Sequence, residues 1–250
     1  MFSFFRRSPA RSAFEKLRVD MHSHLIPGID DGSPDIQTSL SLIQGLQSLG
    51  YEKIITTPHI LSDLYPNDSF AIKNGFNALR AAMTDAKLHI ELEVAAEYFV
   101  DRHFDNLIET NDILSFGQAR FVLIEMSFVS ISPNLEDVIF ALITRGYQPI
   151  LAHPERYTYL VNQKSTFGRL TSLGCLMQVN ILSLLGYYGK VVQNWAFFLI
   201  KADLVSFLGT DLHHKHHMDL LFKHRFDIRL NESIEKYSFR NMDLLSKVLP

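Results

Sequence analysis

Cysteine is nearly absent from this 250-residue chain, which carries only Cys175. An internal disulfide is therefore excluded, and a reducing compartment is the expected setting. A structural zinc site of the all-cysteine type is excluded as well. A cysteine phosphatase loop would need an arginine six residues beyond the thiolate, but position 181 is Ile. Cys175 instead opens an apolar run and reads as a core residue. No G-x-S-x-G elbow and no P-loop occurs. Basic excess is missing too: 24 Lys and Arg face 27 Asp and Glu, for a formal net charge of -3. A nucleic-acid partner, which would call for a basic face, is not expected. Long apolar runs are missing. The most apolar stretch, 195–209, is cut by Lys201 and Asp203, so no transmembrane segment is expected. Arg6-Arg7 is followed by no signal-peptide core, and the chain reads as soluble and cytoplasmic. Linker-like stretches and internal repeats are also lacking. The expected organisation is one domain over 17–250 behind an extension of residues 1–16. Phe2, Phe4 and Phe5 of that extension are read as docking on the protein's own core.

What is present is an alternation. Short apolar runs at 17–21, 53–57, 90–95, 121–124, 149–152, 175–179 and 204–208 predict strands. Helical patterns lie between them. One starts at Ser33-Pro34, carries Ile36, Leu40, Ile43, Leu46 and Leu49, and stops at Gly50. Another starts at Ser132-Pro133, carries Leu135, Val138, Ile139, Leu142 and Ile143, and stops at Gly146. Further helices are predicted at 70–86, after Arg102, at 165–173, at 191–201 and from 216 onward. Strand-helix alternation at this spacing predicts an α/β fold with parallel strands and helices outside.

The polar residues suited to metal binding fall just past the predicted strand ends. His22 and His24 follow the first strand, His59 the second, Glu97 the third, Glu125 the fourth, and His153 the fifth. Asp211 and His213 follow the seventh. In a barrel all these ends share one face, so residues distant in sequence converge. Imidazole with carboxylate suits Zn, Mn or Fe. The ligands are too many for one tetrahedral ion, so two or more ions bridged by carboxylate are expected, with Glu125 as the natural bridge. In His22-Ser23-His24 the two imidazoles stand on the same side of an extended chain. His89, His103, His214, His216, His217 and His224 lack the strand-end placement and read as solvated or helix-start residues, with one of His214, His216 and His217, close to Asp211 and His213, as a candidate supporting residue. Arg156, three residues past His153, is placed to clamp a phosphate, with a salt bridge as the competing role. Arg225 and Arg229 have weaker claims to the same task.

These residues form recognisable motifs: Asp20-Met-His22-Ser-His24, Pro27-Gly28-Ile-Asp30-Asp31-Gly32, Thr57-Pro58-His59, Ala96-Glu97, Ile124-Glu125, Ala152-His153-Pro154-Glu155-Arg156-Tyr157 and Gly209-Thr210-Asp211-Leu-His213. With them the chain resembles the polymerase and histidinol phosphatase (PHP) superfamily, and within it the bacterial capsule-associated tyrosine-protein phosphatases. The resemblance implies a distorted (β/α)7 TIM-like barrel. It implies a trinuclear site of divalent ions held by His22, His24, Asp31, His59, Glu97, Glu125, His153, Asp211 and His213. It selects Asp31 over Asp30 and gives Arg156 the substrate phosphate. The expected reaction is phosphomonoester hydrolysis by a metal-bridged hydroxide, without a covalent enzyme intermediate, and His213 is a candidate proton donor. The expected substrate is a phosphotyrosine protein, with a polysaccharide-export tyrosine kinase as candidate. Two alternatives remain. One is a phosphatase of histidinol phosphate or a sugar phosphate, or a promiscuous phosphodiesterase or triesterase. The other is a metal-binding regulatory protein without turnover.

Overall fold

Seven parallel strand lines carry the fold, and two of them are broken midway. The computed structural model describes residues 12–245. In chain order the strands are β1 (Val19–Asp20), β2 (Lys53–Thr56), β3 (His59–Ile60), β4 (Glu91–Val94), β5 (Glu97–Phe99), β6 (Phe121–Glu125), β7 (Gln148–Ala152), β8 (Leu176–Asn180) and β9 (Phe207–Gly209). β1, β2 and β4 form one parallel sheet; β3 and β5 to β9 form a second, in that order. β2 continues into β3 across Thr57-Pro58, where proline removes a ladder donor. β4 continues into β5 across Ala95-Ala96. Backbone bonds span the breaks: Thr57 N–H donates to the Ser23 carbonyl at 2.7 Å, and Glu97 N–H to the Pro58 carbonyl at 3.0 Å. The ring closes between its first and last lines. Asp211 N–H donates to the His22 carbonyl at 2.8 Å, and His24 N–H to the Leu212 carbonyl at 2.9 Å. This is the distorted seven-stranded α/β barrel that the alternation and the resemblance predict.

The helices are α1 (Phe14–Leu17), α2 (Ile36–Leu49), α3 (Ser69–Asp85), α4 (Arg102–Thr110), α5 (Leu135–Thr144), α6 (Lys164–Ser172), α7 (Ile181–Leu184), α8 (Lys190–Lys201), α9 (Lys215–Lys223) and α10 (Ile228–Lys236). Aspartate caps several of them. Asp35, Asp68, Asp101 and Asp227 each accept the amide three residues on, at 2.7–2.9 Å. The cap of α2 is thus Asp35 rather than Ser33, whose hydroxyl is spent on the Asp35 carbonyl. At α5 the start moves from Ser132 to Asn134, whose amide bonds Asp105 instead of capping the helix. Gly50 and Gly146 end their helices with φ of 104° and 77°, as expected. Among the described residues no helix is long and apolar enough to cross a membrane.

The first strand is shorter than expected. Leu17 belongs to α1, and Arg18 turns with φ 57° before β1 begins. Ala13 and Phe14 are fully buried in the main core, so helix α1 packs on the barrel although most of it falls within the expected extension of residues 1–16. Phe2, Phe4, Phe5, Arg6 and Arg7 lie outside the described residues. The seventh strand is also trimmed, to Phe207–Gly209.

A second apolar cluster fills the ring: Val19, Met21, Ile55, Ala95, Leu123, Ile150, Ala152 and Phe207 are all buried. This plug positions the site. Leu123 and Glu125 are two apart, as are Ala95 and Glu97, so each carboxylate stands on the same face as a plug residue and one step nearer the mouth.

Candidate metal centre

The centre begins with two imidazoles. His22 Nδ1 faces Gln178 Oε1 at 2.9 Å, and His24 Nδ1 faces Asp30 Oδ2 at 2.8 Å. Both acceptors assign the ring proton to Nδ1. Each Nε2 then offers a lone pair, and the two Nε2 atoms lie 3.3 Å apart. Glu97 Oε2 stands 3.1 Å and 3.4 Å from them, and Asp211 Oδ1 stands 3.4 Å and 3.5 Å from them. Four acceptor atoms thus converge with no donor among them, all on buried residues. Such a set repels itself until a cation occupies it. Protons or metal ions can serve. Burial alone would lower the pKa of His22, but Glu97 and Asp211 outweigh it and raise it to about 9. Burial likewise opposes the protonation of His24, and Asp30, Asp211 and Glu97 raise it well above its ordinary value. Asp211 is held well below the usual carboxylate range by His22 and His213, against its burial.

Three further groupings share these residues. His153 Nε2 lies 3.0 Å from Glu97 Oε1. His59 Nδ1 lies 2.9 Å from Glu125 Oε1 and 3.3 Å from Glu97 Oε2, yet it is buried with hydrogen-bond geometry to neither. An orphaned nitrogen between two carboxylates fits a ligand better than a hydrogen-bond partner. Asp31 Oδ1 lies 3.5 Å from His59 Nε2 and 3.6 Å from His213 Nε2, and the His213 contact pulls its pKa down to about 2. His24, Asp31, His59 and His213 form one group able to hold an ion. The others are His22, His24 and Asp211; His22, Glu97 and His153; and His59, Glu97 and Glu125. The structure therefore brings all nine residues expected from sequence to one place. Glu97 joins Glu125 as a candidate bridge. Glu97 belongs to two groups and uses both oxygens, whereas Glu125 contacts His59 and reaches His153 only at 3.9 Å. Glu97 is fully buried and meets four histidines from three sides of the ring mouth.

His153 and Asp211 adopt left-handed φ of 35° and 52°, an uncommon state for residues other than glycine. Both sit where a strand ends and its side chain must swing inward. Asp30 holds the next turn together. It accepts His24 Nδ1, Gly32 N–H and His59 N–H, leaving Asp31 free to face the opening. Gly32 is required there, since a Cβ would lie 2.3 Å from the His24 carbonyl oxygen.

Arg156 lines a cavity of about 240 Å³ above the histidines, with Tyr188, Phe128, His153, His213 and His217. Its guanidinium lies 4.5 Å from the Phe128 ring centre and 4.3 Å from that of Tyr188. Nη1 donates to Asp211 Oδ2 at 3.2 Å, so the salt-bridge role is present, with Asp211 rather than Glu155. Glu155 is turned inward, accepting Asn180 N–H at 2.9 Å and the Ser183 hydroxyl at 2.6 Å. The Asn180 amide donates to Asp211 Oδ2 at 2.6 Å. Arg225 and Arg229 do not line the cavity, and Arg229 stacks on Phe197 instead.

Sequence reasoning missed the supporting residues. Gln178 and Asn180 orient His22 and Asp211, and only ring closure brings them near; Asp30 orients His24 from six residues away, a role the choice of Asp31 as ligand left unassigned. His217, expected to be solvated with a supporting role as the alternative, is buried against the site; burial, with His214 and His213, lowers its pKa to about 3. Its i, i+4 spacing from His213 was the available signal. Cys175 is buried away from the cavity, and burial pushes its thiol up to about 12.

Residues 18–223 match the family described as capsular polysaccharide synthesis, CpsB/CapC. The putative tyrosine-protein phosphatase CapC of Staphylococcus aureus is 30% identical over 223 residues, covering 88% of each chain. The tyrosine-protein phosphatase YwqE of Bacillus subtilis is 26% identical over 195 residues, covering 78% of this chain and 77% of that one. A structure from work on YwqE and on CpsB of Streptococcus pneumoniae, described as unique metal-dependent tyrosine phosphatases, superposes with a TM-score of 0.77. It does so at 24% identity, over 91% of this chain and 94% of that one. The chain belongs to the CpsB/CapC family of capsular polysaccharide synthesis.

Proposed function

We propose that this protein is a metal-dependent protein-tyrosine phosphatase with a trinuclear centre of manganese, iron or zinc. One observation carries the reading: four acceptor atoms, from His22, His24, Glu97 and Asp211, meet without a donor beneath a cavity walled by Arg156. The curated relatives are themselves named tyrosine-protein phosphatases, which supports the substrate class. His22, His24, Asp31, His59, Glu97, Glu125, His153, Asp211 and His213 would hold the ions. When bound, these would supply hydroxide near neutral pH and positive charge for the phosphoryl oxygens.

The chain's own groups do the rest. Arg156, fixed by Asp211 and two aromatic faces, presents its remaining N–H groups to a phosphate. His213 directs Nδ1–H to the Asp211 carbonyl at 2.9 Å, so its Nε2 lone pair faces Asp31 and the opening; it would give the leaving phenolate a proton only when released from the ions and protonated at Nε2. No side-chain nucleophile is needed, and Cys175 is buried elsewhere. The phosphoprotein we assign is a tyrosine kinase of polysaccharide export, in keeping with a family described by capsular polysaccharide synthesis, and the workplace we assign is the cytoplasm.

The test is a metal-stripped preparation resupplied with each ion, with elemental analysis on the same sample. Restored turnover, fastest on a phosphotyrosine peptide and slower on histidinol phosphate or sugar phosphates, is the expected result. Full activity without metal, or preference for a small alkyl phosphate, would sink the proposal.

A further inference from the structure

A second groove opens beside the Arg156 cavity and shares Asp31, His59, Glu125 and Phe128 with it. Its volume is about 550 Å³, more than twice that of the first. Its character differs: Leu64, Tyr65, Phe99, Met126, Phe128 and Val129 line it, and no histidine but His59 does. Two short turns make its walls. In the first, Leu61 N–H donates to the Tyr65 carbonyl at 3.0 Å and Tyr65 N–H to the Leu61 carbonyl at 2.8 Å. The Ser62 hydroxyl ties that turn to Asp101 at 2.8 Å, and Tyr65 stacks on His59 with centroids 5.5 Å apart. In the second, Val129 N–H donates to the Ser127 hydroxyl at 3.1 Å, and the Tyr159 hydroxyl to the Ser127 carbonyl at 3.0 Å. These tied turns hold Leu64 at 69% and Val129 at 84% exposure, on a groove continuous with the site. Apolar side chains scattered singly need no explanation, but two on fixed turns lining one groove beside a reactive centre mark a binding surface.

We propose that this groove binds an apolar side chain adjacent to the phosphotyrosine of a protein substrate, giving the enzyme a sequence preference. The inference rests on the phosphotyrosine reading above. Phe128 is the divider: its ring covers Arg156 on the phosphate side and lines the groove on the other. With the phosphate at Arg156, the peptide continues past Phe128 into the groove. Asp63, exposed on the first turn and also lining the groove, repels an acidic neighbour in the same position.

The experiment uses the metal-loaded full chain and three phosphotyrosine peptides that differ only beside the phosphotyrosine, where they carry Leu, Ser or Glu. Free p-nitrophenyl phosphate is a fourth substrate. The wild type is expected to favour Leu over Ser by roughly tenfold in kcat/KM, mostly through KM, with Glu poorest. Leu64→Ser and Val129→Ser should each shrink the Leu-to-Ser ratio. That ratio is taken within one preparation, so any loss of active protein cancels. Asp63→Lys should lift the Glu peptide selectively. Equal rates on all three peptides, or a preference untouched by these substitutions, overturns the groove while p-nitrophenyl phosphate turnover leaves the phosphatase reading intact. Failure on every ester overturns both.

Discussion

The floor of the candidate centre and its rim are built from the same residue types under opposite conditions. On the floor, His22, His24, Glu97 and Asp211 are buried, and Gln178, Asp30 and Asn180 fix the orientation of His22, His24 and Asp211. On the rim, Asp31 is half exposed, and His59 and His213 are reachable from the cavity. The floor is preorganised at the expense of stacked acceptors; the rim keeps contacts near 3.5 Å and room to move. Preorganised ligands bind tightly and release slowly, whereas an exposed carboxylate exchanges readily. The difference separates holding ions from admitting substrate.

That contrast can be broken experimentally. Glu97→Ala should have the largest effect, since Glu97 meets four histidines: turnover is expected to fall at least about a thousandfold, with loss of bound metal by elemental analysis. Glu125→Ala and His153→Ala should each also cut turnover severely and reduce bound metal, by no more than Glu97→Ala does. Asp31→Ala should cost less, about a hundredfold, and excess metal should restore part of it. If Asp31→Ala proved the more damaging, the floor and rim assignments would be reversed. Gln178→Ala leaves every ligand in place but frees the His22 ring, and should weaken metal affinity about tenfold in a chelator competition.

The smallest effect is on pH dependence. In the metal-free protein His22 titrates at about 9 instead of its ordinary 6.5, so its contribution to stability is full below pH 6.5 and lost as pH rises through 9. The melting temperature of the stripped protein should therefore fall across that window. The metal-loaded protein, whose imidazoles are deprotonated by the ions, should show no such fall. By the same linkage, apparent metal affinity should drop as the medium is acidified. Parallel melting curves for the two forms would remove the basis for this claim.

Much of this architecture was legible in the sequence because the ligands obey a positional rule. Glu97 and Glu125 each follow an apolar plug residue by two positions, and such a pattern survives ignorance of the third dimension. What stayed hidden depends on ring closure. Gln178 and Asn180 alternate with apolar residues along β8 and look like ordinary strand polars until β8 comes beside His22 and Asp211. The split strands were hidden as well. Runs 53–57 and 90–95 read as complete, because a break across Thr57-Pro58 or Ala95-Ala96 changes hydrogen bonding without changing hydrophobicity. Phe14 was hidden for a third reason: four helical residues carry too little periodicity to reveal a face, so its burial became visible only against Tyr51, 5.8 Å away.

Ser23 has a consequence of another kind. It faces away from its two histidine neighbours, its hydroxyl on the Ile55 carbonyl at 3.2 Å and its backbone bridged to Leu212. Replacing that hydroxyl removes one buried bond of the ring. Adding or deleting a single residue between Asp20 and His24 exchanges inside for outside and withdraws both imidazoles at once. Position 23, fully buried, should thus accept only side chains near serine in size, while the stretch tolerates no change in length, a second constraint that a library of insertions and deletions would expose and a library of substitutions would miss.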